Sequence, residues 1–230
     1  MNASFRAAEH IRERIHHAAT QAHRLPASVT LIAVIKGQSS ERIQAGLAPW
    51  IRDIGENYLN EALVHQAQLG RDRYTWHFIG RIQTNKTRGI AQHFDWVHCV
   101  DRLKLIERLE AQRGFNGPRL QVCLQANLWN EPHKGGALAT ELLPLAQAVL
   151  ACQRLQLRGL MALPPETADP LKQRQQFERL AEAAASLQQA GIALDTLSMG
   201  MSGDFEPAIL AGATHIRIGS SLFGARTSPA

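Results

Sequence analysis

The sequence predicts an α/β fold, a (β/α)8 TIM barrel preceded by one extra helix, and three observations carry that expectation. Eight short apolar runs alternate with helical stretches along 230 residues. No Pro/Ser-rich linker interrupts them, so one domain over residues 1–230 is expected rather than two. Polar and glycine residues gather at the C-terminal ends of the runs, where this fold collects its active groups.

Residues 4–22 carry Ile11, Ile15, Ala18, Ala19 and Ala22 among charged neighbours, the pattern of an amphipathic helix, expected to cap one end of the barrel. The first strand is expected at 31–36, LIAVIK, too short for a helix and apolar enough to be buried on both faces. A helix at 39–48 leads to a strand at 51–55 and a helix at 56–69. Further strands are expected at 75–80, 96–100, 120–128, 157–163, 195–200 and 215–220. Helices between them are expected at 84–92, 101–113, 137–153, 169–190, 204–211 and 220–225. Asp101 and Asp169 suit N-caps, and Gly114, Gly191 and Gly212 suit stops. The three prolines between Pro164 and Pro170 fit an ordered strand-to-helix loop.

Composition narrows the function classes. At 45% hydrophobic residues the chain can bury a full core, yet no run approaches the roughly 18–20 apolar residues of a membrane span. The N-terminus lacks an apolar signal core, so a cytoplasmic protein is expected. Cys99, Cys123 and Cys152 are an odd set without ligand spacing, which suggests neither disulfides nor zinc. His10, His16 and His17 in the first helix, and His23 just after it, have no carboxylate at supporting spacing and read as solvated. The net charge of +5 and pI near 9.5 come from scattered Lys and Arg, so no nucleic-acid surface is expected. The outer helices of a barrel look alike whether or not they meet a second copy; a monomer is expected.

The candidate site starts at Lys36. Alternation along a strand puts Ile32, Val34 and Lys36 on one face. An amine leaving a dry layer there can form a Schiff base with an aldehyde. Alone, a strand-end lysine more often snorkels into water. Other polar groups at strand ends are Asn57, His77, Asn127, Met161 with its soft sulfur, Ser198, Ser202, Arg217, Gly219 and Ser220. First and last strands are neighbours in a closed barrel, so Lys36 and Arg217 should face one site. The turns at 198–203 and 219–221 open helices after strands 7 and 8, where backbone amides and small hydroxyls bind phosphate. Amine and anion turns together describe a phosphorylated aldehyde. By residue type alone, His77 fits a core histidine as well as a pocket group, Asn57 a helix cap, and Met161 core filler.

The motifs LIAVIK, DIGENYLNEAL, WHFIGRIQTNKTR, DWVHCVD, LRGLMALP, LSMGMSGDFEPAI and HIRIGSSLFGAR, in this order from Thr30 to Arg226, resemble those of the pyridoxal phosphate homeostasis protein family, related to the barrel domain of alanine racemase. The resemblance implies a fold-type III barrel carrying pyridoxal 5'-phosphate (PLP) as a Schiff base on Lys36. It implies Arg217 facing the pyridine nitrogen, with Ser202, Gly219 and Ser220 holding the phosphate. Asn57, His77, Met161 and Ser198 would line the pocket. The implied role is intracellular PLP homeostasis, as carrier or buffer, with apo PLP-dependent enzymes as the partners that role suggests.

Ile35 and Gly37 stand where the family commonly has Ser and Thr, and HKGG at 133–136 replaces a Lys-x-Gly setting, leaving Lys134 as a second amine. The competing expectation is a racemase-like enzyme. PLP works best as an electron sink with its ring nitrogen protonated by a carboxylate, whereas an arginine leaves that nitrogen unprotonated. Racemisation also needs two bases, one of them in the related racemases a tyrosine from a second domain. This chain stops at 230 and has tyrosines only at 58 and 74, neither expected in the pocket. Little or no turnover is therefore expected. A Schiff-base aldolase without PLP fits Arg217 and the paired anion turns less well.

Overall fold

The computed structural model describes residues 3–115, 117–131 and 133–224. Strands β1 (Thr30–Val34), β2 (Asp53–Glu56), β3 (Thr75–Phe78), β4 (Trp96–Val100), β5 (Leu120–Ala126), β6 (Leu155–Ala162), β7 (Thr196–Met201) and β8 (His215–Ile218) pair in sequence order. All are parallel, and β8 closes onto β1 with Ile32 opposite Arg217. Helix α1 (Ala3–Gln21) precedes the barrel. The strands are followed in turn by α2 (Ser40–Gly46), α3 (Leu59–Leu69), α4 (Thr87–His93), α5 (Leu103–Gln112), α6 (Ala139–Leu150), α7 (Pro170–Gln189), α8 (Phe205–Leu210) and α9 (Ser220–Phe223). The expected barrel is thus the observed one. Residue 225 of the expected last helix, and Ala225 and Arg226 of the last motif, lie outside the described residues.

Helix α1 does not cap a barrel end. It packs on the outer wall against α2, α8 and α9, burying Ala8, Ile11, Ile15, Ala18 and Ala19. The reason is steric: α9 has 4 residues and cannot cover the seam between α8 and α2, whereas α1 has 19. The Arg14 guanidinium ties the helix to the Glu206 carboxylate through bonds of 3.0 and 2.7 Å.

Helix ends follow local chemistry. The Asp169 side chain accepts from the N–H groups of Leu171 and Lys172 and caps α7, an arrangement worth about 1 kcal/mol. Asp101 does not cap α5. Its carboxylate is taken by Arg102, 2.6 Å away, which itself stands at the cap position.

Strand β1 ends two residues earlier than expected. The Gln38 N–H bonds back to the Ile35 carbonyl, and Gly37 adopts φ +65°, so the chain turns at Lys36. Between strands and helices sits a continuous apolar layer of Ile, Leu, Val and Phe that includes Trp76 and Phe94, both fully buried. The barrel interior is different. His77, His98, Ser198 and Arg217 are buried there among apolar neighbours.

Candidate cofactor site at the barrel mouth

A cavity of about 620 Å³ opens at the C-terminal ends of the strands. Lys36, Asn57, Ser202, Arg217, Gly219 and Ser220 all line it, with Val34 below Lys36. Residues separated by most of the chain meet because β1 and β8 are adjacent. Lys36 reaches the cavity from the turn after β1, and that turn is held from two sides. The Gly37 N–H donates to Glu61 Oε2 at 3.0 Å, and His65 bonds the Gln38 backbone.

The His65 ring is also paired with Glu56, Nδ1 to Oε1 at 2.7 Å, both side chains buried. Burial by itself would lower the His65 pKa, but the hydrogen bond and charge of Glu56 outweigh it and raise the imidazole above its usual value. The second Glu56 oxygen accepts from the Asn57 N–H at 3.2 Å. One buried carboxylate thus steadies Asn57 directly and, through His65, the Lys36 turn. The Asn57 side-chain oxygen is buried and makes no hydrogen bond to the described residues, leaving an acceptor available at the cavity. Asn57 does not cap α3; Tyr58 occupies that position.

The wall beyond β1, after β7 and β8, carries an anion cup. The Ser202 hydroxyl oxygen accepts from the Gly219 and Ser221 N–H groups, both at a long 3.4 Å, so two backbone donors and a hydroxyl converge without strong mutual bonds. Arg217 enters beneath, with Nη1 donating to Ser198 Oγ at 2.8 Å and Nη2 to the Ala162 carbonyl at 3.2 Å. Burial lowers its pKa from the ordinary guanidinium value, yet arginine stays charged.

Three expected pocket residues do not reach the cavity. His77 is fully buried lower in the barrel, between Asp53 and His98 and stacked on Trp96 at 5.4 Å. Ser198, also fully buried, lies behind Arg217 and bonds it. Met161, 1% exposed, sits in register with Ser198 and packs into the core. Strand position alone does not separate them, since Arg217 also precedes its strand end by one residue; these three side chains are enclosed in packed interior, whereas the longer Arg217 side chain reaches the cavity.

Sequence reasoning missed Gln38, Ile79 and Glu166 on the cavity wall. Glu166 falls within the proline-rich loop after β6, read only as ordered. Lys134 does line the cavity, and its ammonium donates to the Pro164 carbonyl at 3.0 Å and to Leu163 at 3.4 Å. Among the described residues no cluster of His, Cys, Asp or Glu could hold a metal ion, and no helix is long and apolar enough to cross a membrane.

Comparison with known proteins agrees with this geometry. The family model for the alanine racemase N-terminal domain matches residues 8–227. A Pseudomonas aeruginosa pyridoxal phosphate homeostasis protein is 51% identical over 93% of this chain and 91% of its own. The Escherichia coli K12 protein of that name is 42% identical over 94% of both. Among solved structures, PipY of Synechococcus elongatus with PLP bound superposes with a TM-score of 0.80 at 38% identity, covering 93% of this chain and 100% of PipY. Alanine racemase from Corynebacterium glutamicum shares the barrel alone, with a TM-score of 0.67 at 14% identity over 95% of this chain and 62% of the racemase. The chain therefore belongs to the alanine racemase N-terminal domain family and, within it, to the pyridoxal phosphate homeostasis proteins.

Proposed function

We propose that this chain binds PLP as a Schiff base on Lys36 and acts in the cytoplasm as a monomeric, single-domain PLP carrier or buffer that serves apo PLP-dependent enzymes, with little or no turnover. The observation that carries the reading is the meeting, in one cavity, of Lys36, the cup of Ser202, Gly219 and Ser220, and Arg217. The residues fit the cofactor. The cup presents backbone N–H groups to a phosphate, and the unmatched Asn57 oxygen supplies an acceptor at the cavity wall. Lys36 supplies the amine that condenses with the aldehyde and releases water, while Glu61 and His65 hold its turn in place.

When bound, PLP supplies an electron sink, and the sink is weak where the ring nitrogen faces a cation. Arg217 in that position donates and cannot accept a proton, which favours retention over turnover. The placement of the tyrosines supports the same reading. Tyr58 is half-exposed in a separate groove with Arg81 and Lys86, and Tyr74 precedes β3 at the far end of the barrel.

Titration of apo-protein with PLP tests the reading. Wild type is expected to turn yellow, to be fixed on Lys36 by borohydride, and to load an apo-enzyme on mixing, while Lys36→Ala loses the adduct. An unchanged spectrum in Lys36→Ala moves the bond to another amine, Lys134 first, and rapid racemisation by wild type defeats the carrier role.

A further inference from the structure

An unbroken chain of hydrogen bonds runs from the cavity to the opposite end of the barrel. Arg217 Nη1 donates to Ser198 Oγ at 2.8 Å, and Ser198 Oγ lies 2.8 Å from His98 Nδ1. His98 Nε2 lies 2.9 Å from His77 Nδ1, and His77 Nε2 lies 2.9 Å from Asp53 Oδ1. Ser198, His98 and His77 are fully buried, whereas the Asp53 side chain, on the first residue of β2, is 25% exposed at the barrel floor. Five strands contribute to this line, and none of Asp53, His77, His98 and Ser198 lines the cavity.

The chemistry of the groups gives the chain a direction. A guanidinium only donates, so Ser198 Oγ accepts from Arg217 and its own proton goes to His98 Nδ1. A neutral His98 then carries its proton on Nε2 and donates to His77 Nδ1. His77 in turn carries its proton on Nε2 and donates to the Asp53 carboxylate. Burial first, then the neighbouring His77, His215 and Arg217, hold the His98 pKa well below its usual value, as this arrangement requires. The opposite direction would put two donors on Ser198 Oγ and strand the hydroxyl proton in a dry core.

We propose that Asp53, His77, His98 and Ser198 are positioning residues that anchor the Arg217 guanidinium on a distant carboxylate and hold it in one orientation against the cavity. The proposal rests on the reading of the cavity as a PLP site with Arg217 at the ring nitrogen. Each bond in such a series polarises the next, so the anionic end strengthens the contact at the cationic end. Without it a long side chain recovers rotamer freedom and its contact with the ring loosens.

Two measurements test the relay. Histidine ring-nitrogen NMR of the apo-protein at pH 7 is expected to show His77 and His98 both neutral with the proton on Nε2. A charged ring, or a proton on Nδ1 of either, overturns the direction and with it the proposal. PLP release is then followed in wild type, Asp53→Ala, Asp53→Asn, Ser198→Ala and the Asp53→Ala/Ser198→Ala double variant. Each alanine variant is expected to release PLP at least about threefold faster, and the double variant no faster than Ser198→Ala, because that change already disconnects Arg217. Asp53→Asn, whose amide oxygen still accepts from His77 but carries no charge, is expected to restore the retention only in part. Release unchanged in Asp53→Ala, or rates that multiply in the double variant, overturn the proposal. If wild type forms no borohydride-fixed adduct, the cofactor reading fails separately, and the tautomers still decide the relay.

Discussion

The histidine at the start of β8 makes acid stability a quantitative test of the buried interior. His215 packs against Trp96 with ring centroids 5.1 Å apart and against His77 at 6.2 Å. Burial, and next the neighbouring His77, push its pKa from 6.5 down to about 4, with Asp53 and Asp195 opposing and Arg158 assisting. Between these two values the unfolded chain takes a proton that the native state refuses. Stability is therefore undiminished above the unfolded pKa, falls as pH drops through it, and stops falling from this cause near pH 4. A shift of that size makes the loss between pH 7.5 and 4.5 about 2–3 kcal/mol from His215 alone. Urea unfolding of wild type and His215→Asn at both pH values isolates it. The amide oxygen can take the place of Nδ1, which meets Thr214 Oγ1 at 3.0 Å, but cannot gain a proton in this range. Wild type is expected to lose about 2–3 kcal/mol more than the variant on acidification. Equal losses would refute the claim that this ring is held neutral by burial.

Two further outcomes concern the cavity wall. A Cβ at Gly80 would lie 2.2 Å from the Asn57 carbonyl oxygen and 2.7 Å from its Cα, and neither atom belongs to a flexible side chain. Gly80→Ala is expected to destabilise by about 1–3 kcal/mol in thermal or urea melts and to weaken PLP binding by displacing Asn57. Ser202→Ala removes the hydroxyl at the centre of the anion cup and is expected to weaken PLP binding about tenfold in equilibrium titration, with little change in melting temperature.

The barrel was legible because period-2 and period-3.6 patterns alternate without interruption, and the errors follow from what such patterns omit. Strand ends move where a turn is closed by a backbone bond, as between Gln38 and Ile35. The site of α1 depends on the shortness of α9, a packing fact with no signal inside α1 itself. Position at a strand end brought Lys36, Asn57, Ser202, Arg217, Gly219 and Ser220 to one cavity. The same rule placed His77, Met161 and Ser198 there too, since it does not say how far below the rim a side chain sits. A signal for His77 and Ser198 did exist: each is a polar residue inside an otherwise apolar strand, as is His98 in WVHCV. Polar residues in such positions must find partners in the barrel interior, and here they find one another. The Glu56 and His65 pair left no comparable trace, because its members lie on a strand and on the far side of the following helix start.

The distance between Arg217 and a carboxylate bears on what the barrel can do with a bound ligand. Its hydrogen bonds to the described residues go to neutral acceptors, a hydroxyl and a carbonyl. A carboxylate bonded directly to the guanidinium would occupy two donors as a fork and draw the group away from the cavity. Asp204 acts on the guanidinium through space while accepting from the Met201 N–H, and Asp53, three side chains away, reaches it through oriented dipoles. The guanidinium keeps its charge and lines the cavity. With Arg217 at the ring nitrogen as proposed, such a charge would act as a donor that offers no proton to keep, so the feature that fixes the ring would also limit its use as an electron sink. Retention of the cofactor and restraint of its chemistry would then come from one residue and the relay behind it.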